Sequence, residues 1–283
     1  MDFANVWTIA QKEVRDALRN RWFVLFTIAF AVLALALSLL SQPSGTQLRL
    51  ASYGRTAAGL INLVLLFVPL IALTLGASGL ASDRETGALA YLLAQPVNHS
   101  EVLFGKYIGM ATALLSSLAL GFGIAGIALI QQGTTANALG YLVTVGLACL
   151  LALSMLSVGF LIAVLVHKTS TALTSSLFAW LFLVFIGDLG IMGAAIITQM
   201  PIATIFWIAT LNPLQMFKMA AILNIQANLE VLGPAGLYAT ETYGTALMPM
   251  LLLGLLLWVI VPLALAQFTF STRSFITAKR SLA

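Results

Sequence analysis

The sequence predicts an all-α integral membrane fold. It has six transmembrane helices, an N-terminal interfacial helix, two short amphipathic pieces between the second and third spans, and an apolar hairpin that re-enters the bilayer before the sixth. Three observations predict it. Of 283 residues 61% are apolar and only 8% charged, against about a quarter charged in a soluble domain. No Asp, Glu, Lys or Arg falls within 22–48, 56–82, 107–167, 189–217 or 242–272, each at least as long as the ~20 residues that cross a hydrocarbon core. The net charge of +4 comes from bases flanking those runs, as orientation signals do, so nucleic acid is not a partner.

Residues 1–21 read as an interfacial helix. Phe3, Val6, Trp7, Ala10, Val14, Ala17 and Leu18 recur at spacings of three and four, while Lys12, Glu13, Arg15, Asp16 and Arg19 fill the other face. The first span, 22–41, is too long for a signal-peptide core and is followed by no cleavage pattern. Further spans read as 57–81, 107–130, 139–166, 170–198 and 246–270, in one membrane domain covering 1–283. Gln131 to Asn137 is a polar, turn-rich break that separates the third span from the fourth. With both termini cytoplasmic, ten Lys and Arg lie inside and three (Arg49, Arg55, Lys218) outside, the expected bias.

Loop 82–106 is more than a connector. Asp83-Arg84-Glu85 and Gly87 precede an apolar stripe of Leu89, Leu92 and Leu93; Pro96 ends that piece, and Ser100 caps a second that runs through Gly105-Lys106 into the third span. Presenting a Leu stripe behind alternating charges is what a docking loop does. In the re-entrant and outer segment 199–245, Asn212-Pro213 reads as an N-cap followed by Pro at the first helical position, starting a helix through about Leu223. Beyond it, Glu230, Gly233, Pro234, Tyr238 and Glu241 form the polar outer surface that, with Asn212 and Lys218, would meet an outside partner.

No Gly-x-x-x-x-Gly-Lys followed by Ser or Thr occurs, so the chain carries no phosphate-cradling loop and is not itself an enzyme of ATP hydrolysis. Cys149 is the lone cysteine, which rules out a disulfide framework and a cysteine-based metal site. Asp188 is the one acid within a span and a possible pathway residue, with headgroup contact or capping the equal structural reading. Ser116, Ser117, Thr144, Ser154, Ser157, Thr174 and Ser175 are small polar span residues that line a route or serve packing. Met216, Met219, Met248 and Met250 gather near the outer face; thioethers suit Cu(I), but packing is the leading reading and no metal site is assigned.

Taken together, the amphipathic N-terminal helix, six spans, the Asp83-Arg84-Glu85-x-Gly87-x-Leu89 to Pro96 to Gly105-Lys106 loop and the apolar stretch before the last span resemble the permease subunit of type 2 ABC transporters, over nearly the whole chain. The resemblance implies a bacterial inner-membrane subunit without a cofactor, paired with a second copy. It implies an elbow helix at the N-terminus and a coupling helix in loop 82–106, docked on a cytoplasmic ABC ATPase dimer that holds ATP and Mg. The stretches Leu211 to Lys218 and Asn228 to Tyr238 are similar to the branch that matures the copper-sulfide centre of nitrous oxide reductase. That likeness implies a periplasmic accessory protein and a sulfur- or copper-related cargo. The alternatives are another type 2 exporter, of lipid, peptide or drug, and a non-conducting mechanical transducer.

Overall fold

The computed structural model describes residues 2–40, 49–131, 138–187, 201–225 and 234–280, and among these every element is helical. In chain order they are α1 (Phe3–Arg19), α2 (Arg21–Leu40), α3 (Arg49–Glu85), α4 (Ala88–Leu93), α5 (His99–Gln131), α6 (Ala138–Leu165), α7 (Thr169–Phe185), α8 (Ile202–Thr210), α9 (Pro213–Asn224), α10 (Pro234–Tyr243) and α11 (Leu247–Arg280), with a 3-10 turn at Gly244–Ala246 before α11. Among the described residues five helices are long and apolar enough to cross a bilayer, or six if the pair α8 and α9, bent by 106°, counts as one. The expected spans 22–41, 57–81, 107–130, 139–166 and 246–270 all lie on continuous helices, but α3 and α5 each begin eight residues earlier than expected. Of the expected span 170–198, α7 covers the first part; residues 188–198 and the break at 132–137 lie outside the described residues.

The core is built on α6, the most enclosed apolar helix, whose Leu151, Met155 and Phe160 are fully buried. It packs against α3, α11 and α9. Its backbone closes on α3 where Gly76 meets Gly159: a Cβ on Gly159 would lie 2.6 Å from the Leu73 carbonyl oxygen, the small-residue contact that membrane helices use when both sides are apolar. α2 leans on α5 through Phe30 and Phe122, ring centroids 5.3 Å apart, and through a 2.7 Å bond between the Thr27 and Ser117 hydroxyls.

α1 starts where the Asp2 carboxylate accepts from the Ala4 N–H and lies along the first turns of α5. A Cβ on Gly109 would come within 2.6 Å of the Ala10 carbonyl oxygen, so two glycines, Gly105 and Gly109, make the trough that receives it. This corrects the face assignment made from periodicity. Ile9, Ala10, Glu13 and Ala17 are the buried side, with Ile9 seated over Gly105 and Ala10 and Glu13 over Gly109, and Phe3, Trp7 and Leu18 stay exposed. Glu13 therefore leaves the charged face and enters the core.

Candidate functional site

The expected docking loop turns out to be tied to nearly every helix around it. Lys106, in the second turn of α5 and 1% exposed, holds two carboxylates: Glu13 Oε1 of α1 at 2.6 Å and Asp83 Oδ2 at the end of α3 at 2.5 Å. The Glu13 contact is a well-aligned hydrogen bond; the Asp83 contact is an ion pair whose angle does not make one. Lys12 adds a flanking charge 3.6 Å from Glu13 and 3.4 Å from Asp16. Partial burial pulls the Lys12 pKa down, but Glu13, Asp83 and Asp16 outweigh it and hold it above the ordinary lysine value. A cavity of about 230 Å³ opens over this cluster, bordered by Asp16, Ser82 and Thr169.

The two residues after Asp83 reach other helices. The Arg84 guanidinium donates to the carbonyls of Ala163, Val164 and Val166 (3.4, 3.3 and 2.9 Å), closing the last turn of α6 with a cation where the helix dipole is negative. Glu85 accepts from the Thr169 N–H at 2.9 Å, placing an anion at the start of α7. Three consecutive side chains thus bind α1 with α5, then α6, then α7. Gly87 follows with φ of 79°, a left-handed turn that an L side chain resists, and α4 begins behind it.

The Leu stripe is shared between the core and the surface: Leu89 is 5% exposed, Leu92 and Leu93 are half-buried against the chain's own core, and Leu92 also lines the groove between α4 and α1. What α4 presents outward is Tyr91, 74% exposed, with Ala88, Ala90 and, beyond its end, Gln95 and Pro96. Between this face and α1 runs a groove of about 620 Å³ bordered by Asn5, Thr8, Lys12, Tyr91 and Gln95.

Sequence reasoning missed the second tie. Glu101 accepts from the backbone N–H groups of Asp2 (2.8 Å) and Asn98 (3.2 Å) and from the side-chain amides of Asn5 and Asn98, fixing the tip of α1 to the start of α5. Ser100, expected as a cap, lies inside the first turn and accepts a short bond from Gln267 of α11. The signal for Glu13 was present: an acid four residues from both Ile9 and Ala17, on the small-residue stripe.

At the far end of α7, Asn212 caps α9 by accepting from the Leu214 N–H at 3.0 Å, and its amide donates to the Leu183 carbonyl of α7 at 2.6 Å. It is buried, and Lys218 is half-buried. Tyr238 meets Phe206 and Tyr243 at tilted and edge-on angles in an aromatic group with Trp207, in which Phe206 and Tyr243 stack, centroids 5.5–6.5 Å apart. Pro234 opens α10, while Glu230 and Gly233 lie outside the described residues, as does Asp188. Met216 and Met219 are buried on α9, Met216 against Gly254 of α11, and Met248 and Met250 are half-buried. The span hydroxyls of Ser116, Thr144, Ser154, Ser157 and Thr174 donate to carbonyls three or four residues back on their own helices, and Ser157 also meets the Tyr107 hydroxyl at 3.0 Å.

Known proteins resemble this chain in sequence over nearly its whole length. A family model described as "ABC-2 family transporter protein" matches residues 7–275. A protein of Stutzerimonas stutzeri named "Probable ABC transporter permease protein NosY" is 30% identical over 277 residues, which is 95% of this chain and 98% of the relative. A protein of the same name from Pseudomonas aeruginosa is 28% identical over 276 residues, again 95% and 98% of the two chains.

Proposed function

Because the chain belongs to the ABC-2 family of transporter proteins, we propose that it is the permease subunit of an ATP-driven machine in a bacterial inner membrane, with both termini cytoplasmic. A second copy completes the membrane part, and a cytoplasmic ABC ATPase dimer supplies ATP and Mg. α1 is its elbow helix, and the segment 82–106 its coupling element. The observation that carries this reading is the triplet Asp83, Arg84 and Glu85. A force applied to α4 passes within three residues to α1, α5, α6 and α7 through ion pairs and hydrogen bonds, without crossing a flexible linker. Leu89, Leu93, Gly105 and Lys106 support the contact from behind, and Tyr91, with Gly87, Leu92 and Pro96 beside it, is the side chain offered to the ATPase.

The finer reading follows the relatives' name and the sequence likeness noted above: a role in maturing the copper-sulfide centre of nitrous oxide reductase, with a periplasmic accessory protein received at Asn212 to Glu241. The transducer variant of this reading has one observation in its favour. The span hydroxyls that a conducting route would use satisfy their own helices instead. Reconstitution of the permease with its ATPase in proteoliposomes separates the two. ATP-dependent movement of a sulfur or copper species supports transport; no movement, with ATP still altering the outer partner's protease protection, supports the transducer. If neither occurs and ATP hydrolysis ignores the permease, both fail.

A further inference from the structure

The side of α1 turned away from α5 carries uncompensated positive charge. Arg15 and Arg19, four residues apart and so neighbours on the helix surface, are exposed, as is Arg21 at the start of α2. Among the described residues none of the three guanidinium groups has an ion pair or a hydrogen bond. Asp16, the acid between Arg15 and Arg19 in sequence, is held by Lys12 at 3.4 Å. On the same exposed side stand large apolar side chains: Trp7 is 63% exposed, Leu18 55% and Trp22 72%.

Two charge-free runs put this face at the edge of the hydrocarbon. The run 22–48 begins one residue after Arg21, and the run 107–167 one residue after Lys106. α1 is seated on α5 just there, with Ile9 over Gly105 and Glu13 over Gly109, the latter three residues past Lys106 and so about 4.5 Å along the helix. At that depth a guanidinium reaches headgroup phosphate, while an indole or a Leu side chain reaches the upper acyl chains. The guanidinium fork also meets phosphate in two parallel hydrogen bonds, where an ammonium offers only a point charge.

We propose that the exposed face of α1 and the first turn of α2 bind anionic phospholipid, with Arg15, Arg19 and Arg21 on headgroup phosphates and Trp7, Leu18 and Trp22 among the upper acyl chains. A zwitterionic headgroup brings its own ammonium to the phosphate and leaves the arginines uncompensated, whereas phosphatidylglycerol offers a net negative charge to each. An acidic protein surface answers the charge but not the apolar side chains, which stand at the level where the first span begins. The opposite side of the same helix holds Glu13 on Lys106, so lipid and ion-pair cluster grip α1 from two sides. Only the placing of this lipid in the cytoplasmic leaflet rests on the permease reading above.

The test is lipid retention, read by native mass spectrometry, and melting of the purified protein in detergent micelles. The micelles are doped with palmitoyl-oleoyl phosphatidylglycerol or with phosphatidylcholine of the same chains. Both readings are made on the permease whether or not an ATPase stays bound, so a failure of the permease reading leaves them intact. The expected result is preferential retention of phosphatidylglycerol and a higher Tm with it, since a ligand of the folded state stabilises that state. Each base at an anionic surface is worth about fivefold in affinity, so Arg19→Gln should weaken retention by about that factor. Arg15→Gln, Arg19→Gln and Arg21→Gln together should remove most of the preference, and Lys168→Gln, at an exposed base between α6 and α7, should leave it unchanged. An unaltered Tm in phosphatidylcholine checks that the variants are folded. A preference that survives the triple variant, or that falls equally with Lys168→Gln, overturns the site. Inorganic phosphate raising the Tm as phosphatidylglycerol does would replace the lipid by a free anion. Release of the ATPase by the triple variant in lipid-free detergent would hand the arginines to an acidic protein surface, and either result overturns the proposal.

Discussion

The two ends of this helical bundle are held together by different forces. At the end around Lys106, helix termini are joined by ionised contacts: Lys106 between Glu13 and Asp83, Arg84 on the end of α6, Glu85 on the start of α7, and Glu101 on the tip of α1. At the other end of α7, the bonds are between neutral groups: Asn212 caps α9 and donates to the Leu183 carbonyl, and Asn224 donates to the Gly140 carbonyl and the Thr144 hydroxyl, with aromatic and Met side chains packed around them. Ionised contacts fix an orientation more strongly than neutral bonds, and apolar packing of Met and aromatic side chains tolerates rearrangement. The two ends therefore differ in the charge of their contacts, and the end around Lys106 is the more firmly oriented among the described residues.

The largest effect should come from the inner cluster. Lys106→Met leaves two carboxylates facing each other with their shared cation gone, and removing one partner of a buried pair costs about 3–5 kcal/mol. The complex in detergent should melt well below the parent. The triple variant with Glu13→Gln and Asp83→Asn should recover most of that loss. An unchanged Tm for Lys106→Met would show the cluster to be solvated and the contrast between the two ends to be wrong.

A smaller effect is expected outside. Asn212→Ala removes an N-cap, worth about 0.5–2 kcal/mol, together with the bond to Leu183. Asn212→Ser keeps a capping oxygen and loses the amide donor to Leu183, so its Tm should fall between Ala and the parent. Equal losses for the two would assign the whole effect to the α7 contact and sharpen the contrast in favour of directional bonding at this end as well.

Much of this was legible in the sequence, for identifiable reasons. The apolar runs fixed the helices because a bilayer forces backbone bonds to close within each segment, and Asn212-Pro213 marked the start of α9 because capping is local chemistry. The burial of Leu89 within the chain's own core was not legible, because periodicity gives the apolar face of a six-residue helix but not which neighbour covers it. Glu13 was assigned to the wrong face for the opposite reason. The small residues beside it admit α5, and only the trough at Gly105 and Gly109 shows how close that helix comes. The partner of Glu101 is the backbone of Asp2, and no pattern of side chains predicts a bond to an N–H 99 residues away.

The central claim is that α4 receives the ATPase through its outward face while the triplet behind it carries the motion inward. The most direct measurement is ATPase affinity and permease-stimulated hydrolysis for Tyr91→Asp, a change at a side chain 74% exposed and free of the core. A buried aromatic at an interface centre is worth about 2 kcal/mol or more, so affinity should fall by roughly 30-fold and stimulation should be lost while the permease still inserts and melts as the parent does. Unchanged affinity and stimulation for Tyr91→Asp, and again for Tyr91→Asp with Gln95→Asp, would contradict the account and remove this loop from the coupling role.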